Sequence, residues 1–141
     1  MSRPSVHRKR GRAARPWVPP ATRIHLRPEA DDLSDVRPLL ARITGALGTN
    51  AAARLLGADR AQVSRWGADK ESVGAEMSRR IVDLHDVLTR ILRIYHRDAA
   101  AMWLSGPEPL LGGARPIDVL ALEGAAPVVR AIEAIAEGAY A

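Results

Sequence analysis

The chain has no cysteine and no phenylalanine among its 141 residues, and only 4% of it is aromatic. Without cysteine there can be no disulfide, no thiolate metal ligand and no cysteine nucleophile, which fits a cytosolic setting. The missing phenylalanine matters in another way. Apolar residues make up 47% of the sequence, so Ala, Leu, Ile and Val supply nearly all of them, a composition suited to closely packed helices rather than a ligand-sized aromatic pocket. Long apolar runs are missing as well. Nothing approaches the ~18 consecutive apolar residues of a membrane span, and the basic N-terminus lacks the apolar stretch of about 7–15 residues that a secretory signal needs. We expect no membrane span, no export and a cytoplasmic location. Acidic residues are absent before Glu29, whereas eight Lys or Arg precede it, leaving 13 basic against 16 acidic residues from there on. The net charge of +5 therefore averages a cationic leader with a mildly acidic body, and a high isoelectric point alone does not make the body a nucleic-acid binder.

Residues 1–34 hold five prolines and no apolar periodicity, so little burial offsets the entropy of ordering them. They read as a basic, flexible arm. Such an arm either adds salt-dependent, sequence-blind affinity for DNA phosphates or is a solvated leader, and composition does not choose between these.

Residues 35–98 read as a helical domain. Val36, Leu39, Leu40, Ile43 and Leu47 fall at helical spacing, with Ser34 or Asp35 placed to cap and Gly48 to close. A second helix would start from a Thr49 or Asn50 cap, cross Ala51 to Leu56 and stop at Gly57. Asp59 can cap a third, with Gln62 as its capping-box partner, running to Trp66 and stopping at Gly67. Two short helices joined by a glycine-containing turn of about three residues are a helix-turn-helix. Ala53 is small where the helices must cross, and Val63 and Trp66 are apolar where the second must face a core. That leaves Arg60, Ala61, Gln62, Ser64 and Arg65 outward. Gln can bond adenine bidentately, Arg guanine, and Ser or Arg phosphate, so Arg60, Gln62, Ser64 and Arg65 are the candidate DNA-binding residues. Asp59 and Asp69 lower the positive potential beside them.

A longer pattern follows. Met77, Ile81, Leu84, Leu88, Ile91 and Tyr95 alternate steps of four and three, with Val87 and Ile94 widening the stripe. The expectation is one long helix over 75–95, a spine for the first three helices whose seam is also partly a dimer contact. On such a helix His85 and His96 would lie ~16 Å apart and could not share a metal. No Ser/His/Asp set, phosphate-cradling glycine loop or carboxylate pair occurs elsewhere. We therefore expect a non-enzyme with no cofactor and no metal.

The segment WLSGPEPLLGGARP, Trp103 to Pro116, packs three prolines and three glycines into fourteen residues, so no regular element should cross it. Its apolar residues suggest a loop folded onto a surface, anchored by Trp103, Leu110 and Leu111 and bent at Gly112-Gly113. Pro116 suits the first turn of a short helix ending near Leu122, and Pro127 that of another reaching Gly138. Both are too short to be stable alone, so they must dock on the spine or on a partner.

Two resemblances add to this reading. The stretch TNAAARLLGADRAQVSRWGAD resembles the helix-turn-helix of Xre/Cro-type repressors. From residue 99 onward, Trp103-Leu104, the Pro-Glu-Pro-Leu-Leu-Gly-Gly turn, the helix start at Pro116 to Leu120, Gly124, Val128 and the finish from Ile132 to Tyr140 resemble the toxin-binding domain of Xre/MbcA/ParS-type antitoxins. The implied fold is all-α: an Xre/Cro-like helix-turn-helix bundle with a long spine helix over 35–98 and a small helical toxin-binding domain over 99–141. The implied partner is a RES-domain toxin that consumes NAD, with the antitoxin's end, here Glu137, Tyr140 and Ala141, covering the toxin's active site. Trp103, Leu110, Leu111, Gly112 and Gly113 join them as candidate toxin-binding residues. Operator DNA and a homodimer within a larger complex complete the expectation. The alternative is a stand-alone Xre-like regulator whose C-terminal part only oligomerises.

Overall fold

A proline in the first turn, where its missing N–H costs nothing, starts α1 (Arg37–Leu47). The computed structural model describes residues 35–138; the basic arm and the C-terminal Tyr140 and Ala141 lie outside them. Val36 occupies the cap position without a side-chain bond, and the Asp35 carboxylate, one residue earlier, accepts from the Arg37 backbone N–H at 3.4 Å. Gly48 serves two helices, its N–H donating to the Thr44 carbonyl at 2.8 Å and its own carbonyl accepting from Ala52 at 3.0 Å. The expected Thr49 or Asn50 cap is corrected accordingly: α2 (Thr49–Leu56) already includes both residues. Gly57 then takes φ 71, the left-handed region that a side chain disfavours, and reverses the chain. Asp59 caps α3 (Arg60–Gly67), its carboxylate accepting from the Gln62 N–H at 2.7 Å. Only that half of the capping box forms, because the Gln62 amide is used elsewhere.

The fourth helix is shorter than its periodicity predicts. α4 (Ala75–Ile91) stops one turn early, and Arg93, Ile94 and Tyr95 bond back to Arg90 and Ile91 in a tightened turn. No glycine or proline marks this end. What marks it is cationic, Arg90 and Arg93 beside the last carbonyls, together with the packing of Ile94 and Tyr95 against the core. His96 is consequently not on α4 with His85; it is the extended cap of α5 (Arg97–Ser105).

The second half departs from the sequence reading at its start. Trp103, Leu104 and Ser105 are the last turn of α5, not the beginning of a loop, and Leu104 is fully buried at 0% exposure. The break begins at Gly106. A single 3-10 turn (Pro109–Leu111) leads to α6 (Pro116–Glu123) and α7 (Ala125–Gly138). No strand occurs among the described residues, so the fold is all-α.

One hydrophobic cluster runs through every helix, from Leu40 and Ile43 of α1 through Trp66, Ile81, Leu84 and Ile91 to Leu104, Leu120, Val128 and Ile132. α4 is its axis, packing against α1, α2, α6 and α7. Its outward face carries the ladder Glu76–Arg79–Asp83 and the pair Asp86–Arg90, exposed contacts of a few tenths of a kcal/mol each at about this geometry. Arg79 does more than pair. Its Nη2 donates to the Ala121 carbonyl at 3.0 Å, satisfying a C-terminal carbonyl of α6 and pinning that helix to α4.

Candidate functional site

Two surfaces gather the residues singled out by sequence. The first is α3. Val63 and Trp66 are buried beneath it, and Arg60, Ser64 and Arg65 stand exposed. Gln62 lies on the flank, half-buried, beside the indole of Trp66. The link between them is Glu71, which the sequence reading did not single out. Its Oε2 accepts from Gln62 Nε2 at 3.1 Å and from Trp66 Nε1 at 3.2 Å, and its Oε1 accepts from Arg65 Nε at 2.9 Å. The bond from Arg65 first, and that from Gln62 next, hold the Glu71 carboxyl below its ordinary range, and Glu71 raises Arg65 in return. The turn that delivers Glu71 is fixed by Asp69, which takes φ 60, a left-handed conformation that Asp tolerates better than most residues, and which pairs with Arg37 of α1 at 3.1 Å.

The second surface is the turn between α5 and α6. Its organiser is again a carboxylate. Glu108 is only 7% exposed. One oxygen accepts from Trp103 Nε1 and the other from the Leu110 N–H, both at 2.8 Å. Its backbone works too: the N–H donates to the Ala114 carbonyl, and the carbonyl accepts from Leu111 and Gly113. Gly112 and Gly113, at φ 69 and 87, supply the bend that the sequence predicted. The expected anchors need one correction. Trp103 and Leu111 do pack on the core, but Leu110 is 55% exposed and anchors nothing. Physically, a tight 3-10 turn places consecutive side chains on different sides, and here Leu110 falls outward. Leu122 of α6, at 85% exposure, and Met102 of α5 are the other large apolar side chains that this half presents to solvent. A signal for Glu108 was present in the sequence, an acid set between two prolines where no helix or strand could satisfy its neighbours' N–H groups. Glu137 is exposed at the end of α7; Tyr140 and Ala141 lie beyond the described residues.

Neither surface holds a catalytic set. A groove of about 570 Å³ between α1, α2 and α5 is lined by residues that include Thr44, Arg54, Arg97, Asp98 and Met102, with one carboxylate and no histidine. Among the described residues no group of three or more His, Asp or Glu is arranged to hold a metal ion, and no helix is long and apolar enough to cross a membrane.

Comparison with known proteins bears on the second surface. Residues 96–138 match the family described as the antitoxin Xre/MbcA/ParS C-terminal toxin-binding domain. That span starts at the cap of α5 and ends with α7, so it takes in the Glu108 turn whole. Among solved structures, a chain of the M. tuberculosis MbcT-MbcA toxin-antitoxin complex is similar in fold, with a TM-score of 0.60 at 24% identity, covering 73% of this chain and 95% of that one. No curated protein matches.

Proposed function

From the match of residues 96–138 to the C-terminal toxin-binding domain of Xre/MbcA/ParS-type antitoxins, we propose that the chain is an antitoxin that binds a toxin and inhibits it by steric cover. The match over residues 96–138 is the observation that supports this reading. The segment also offers a contact surface: Leu110, Leu122 and Met102 are exposed on the helices and turn that Glu108 holds in place, and exposed apolar side chains on a rigid frame suit a protein partner. The toxin is of the RES-domain, NAD-consuming class. Glu137 with Tyr140 and Ala141 reaches its active site, where an aromatic ring and a terminal carboxylate match a cleft shaped for a dinucleotide with phosphate-binding arginines. The protein acts in the cytoplasm, without catalysis of its own. α2 and α3 form a helix-turn-helix that binds operator DNA through Arg60, Ser64 and Arg65, with Gln62 beside them. The stripe expected to serve partly as a dimer contact is taken up by the core at Ile81, Leu84, Leu88 and Ile91, so the homodimer forms instead through Val82 of α4 and Leu92 at its C-terminal cap, which face solvent.

The decisive experiment is co-expression with the product of the adjacent reading frame. A stable complex that preserves cellular NAD is expected, and deleting residues 139–141 should restore NAD loss while Leu122→Asp should break the complex. Full neutralisation by the truncated chain would remove the covering role of the C-terminus. A lone dimer that binds DNA tightly and ignores its neighbour would favour the stand-alone regulator.

A further inference from the structure

We infer that Glu71 is a positioning residue for sequence reading: it locks Arg65 so that the guanidinium presents its two terminal nitrogens to a guanine. The inference rests on the proposal that α3 binds DNA. Three observations carry it. First, the carboxylate is held from below. Trp66 is buried, and its indole N–H and the half-buried Gln62 amide both bond Oε2, so the acceptor cannot swing with the solvent. Second, the exposed partner is held through one atom only. Arg65 uses Nε, leaving the edge formed by Nη1 and Nη2 without a protein partner among the described residues. That edge is a fork of parallel donors, the pattern that matches guanine O6 and N7 in the major groove. Third, the turn bearing Glu71 is itself tied to α1 by the Asp69–Arg37 pair, so the strut runs from the body of the fold to the tip of Arg65.

This redistributes the roles along α3. The Gln62 amide nitrogen is occupied by Glu71 on the flank of the helix, so Gln62 braces the strut rather than reading adenine bidentately. Arg60, exposed and without an ion-pair partner among the described residues, and the exposed hydroxyl of Ser64 are left for phosphates, which position the protein and carry no sequence information. The carboxylate also has a cost for affinity: it cancels one positive charge on the face that meets a polyanion. Sequence-blind binding is thereby weakened while the specific contact is pre-oriented, and both effects raise discrimination.

The test uses the full-length chain, with its toxin bound, and a pool of duplexes with randomised centres. Selection with the wild-type protein should enrich sequences with a G·C pair at one position of each half-site. A selected duplex is then competed against a scrambled duplex of the same composition. For Glu71→Gln, which keeps size and one acceptor, we expect tighter binding to the scrambled duplex at low salt, a steeper salt dependence, and a ratio of selected to scrambled affinity that falls about tenfold or more. Arg65→Lys keeps the charge and removes the fork. It should lose the G·C preference with little change on the scrambled duplex. If Glu71→Gln folds normally and keeps both the consensus and the ratio, Glu71 is an ordinary surface partner and the inference fails while DNA binding stands. If the wild-type protein enriches no sequence at all, the DNA-binding reading fails and takes the inference with it.

Discussion

Two buried polar side chains on this fold have opposite fates, and their contrast gives the first predictions. Glu108 is enclosed but fully used, with both carboxylate oxygens taking N–H donors. Glu108→Ala would strand the Trp103 indole and the Leu110 amide, and an unsatisfied buried donor costs about 1–3 kcal/mol. We expect a loss of that order in denaturant unfolding, with faster hydrogen exchange at the Trp103 indole; Glu108→Gln, which retains one acceptor, should lose less. Equal stability of all three proteins would show that the turn is held by its apolar residues alone. Ser78 on α4 is the other case. It is buried, and its hydroxyl has no hydrogen-bond partner among the described residues. Replacing it by alanine removes a desolvated group and improves helix propensity by a few tenths of a kcal/mol or more. Ser78→Ala should therefore be at least as stable as the parent protein, by roughly 0.5–2 kcal/mol. A clear drop in the unfolding midpoint would mean that the hydroxyl does have a partner in solution.

At the level of elements, α3 and the turn after it should show a pH dependence set by Glu71. Its carboxyl is held below the ordinary glutamate value of 4.5, chiefly by Arg65. A carboxyl lowered on folding contributes stability that is fully present above the unfolded value and is lost as pH falls through the folded one. The window for Glu71 thus lies below pH 4.5. The Trp66 indole N–H resonance should shift with a midpoint in that window, and Glu71→Gln should abolish the shift; a midpoint at or above 4.5 would mean that the strut does not form. The same stretch shows what a sequence can disclose. Local signals were legible: the Asp59 cap, the Gly57 reversal, the Pro116 start and the Gly112-Gly113 bend all act through neighbours a few residues away, which is the range over which spacing carries information. Glu71 was not, because a carboxylate is read as surface until the geometry shows which N–H groups surround it, and Glu108 left only the hint of an acid between two prolines. The end of α4 was overrun for a related reason. Ile94 and Tyr95 continue the apolar stripe, but they reach the core by turning toward it, and periodicity cannot distinguish that from another turn of helix.

Across the whole folded body, residues on both sides of position 98 contribute to one hydrophobic cluster, and α4 is packed by α1 and α2 from one half and by α6 and α7 from the other. If, as proposed, α3 meets DNA and the Glu108 turn meets a toxin, the two surfaces share one core and cannot be destabilised separately by changes in it, although each can be altered at its surface. Leu104 is the discriminating position: it lies within the segment that matches the antitoxin family, sits at 0% exposure, and is far from the residues of α3 along the chain. Leu104→Ala removes most of a fully enclosed side chain, a change that costs about 2–5 kcal/mol, enough to lower the melting temperature of a body of this size by roughly ten degrees or more. If the core is energetically one, calorimetry should show a single transition in both proteins, lowered as a unit in the variant, and hydrogen exchange at α2 and α3 should accelerate together with that at α6 and α7. Two transitions, with only the first sensitive to Leu104, would instead mean that the toxin-binding segment unfolds by itself. Trp103→Ala provides the complementary measurement. Trp103 is half-buried and its indole bonds Glu108, so its loss should loosen the turn and weaken the toxin complex more than it lowers the common melting point. An equal loss of toxin binding in Leu104→Ala and Trp103→Ala, at matched stability, would place that binding outside the Glu108 turn.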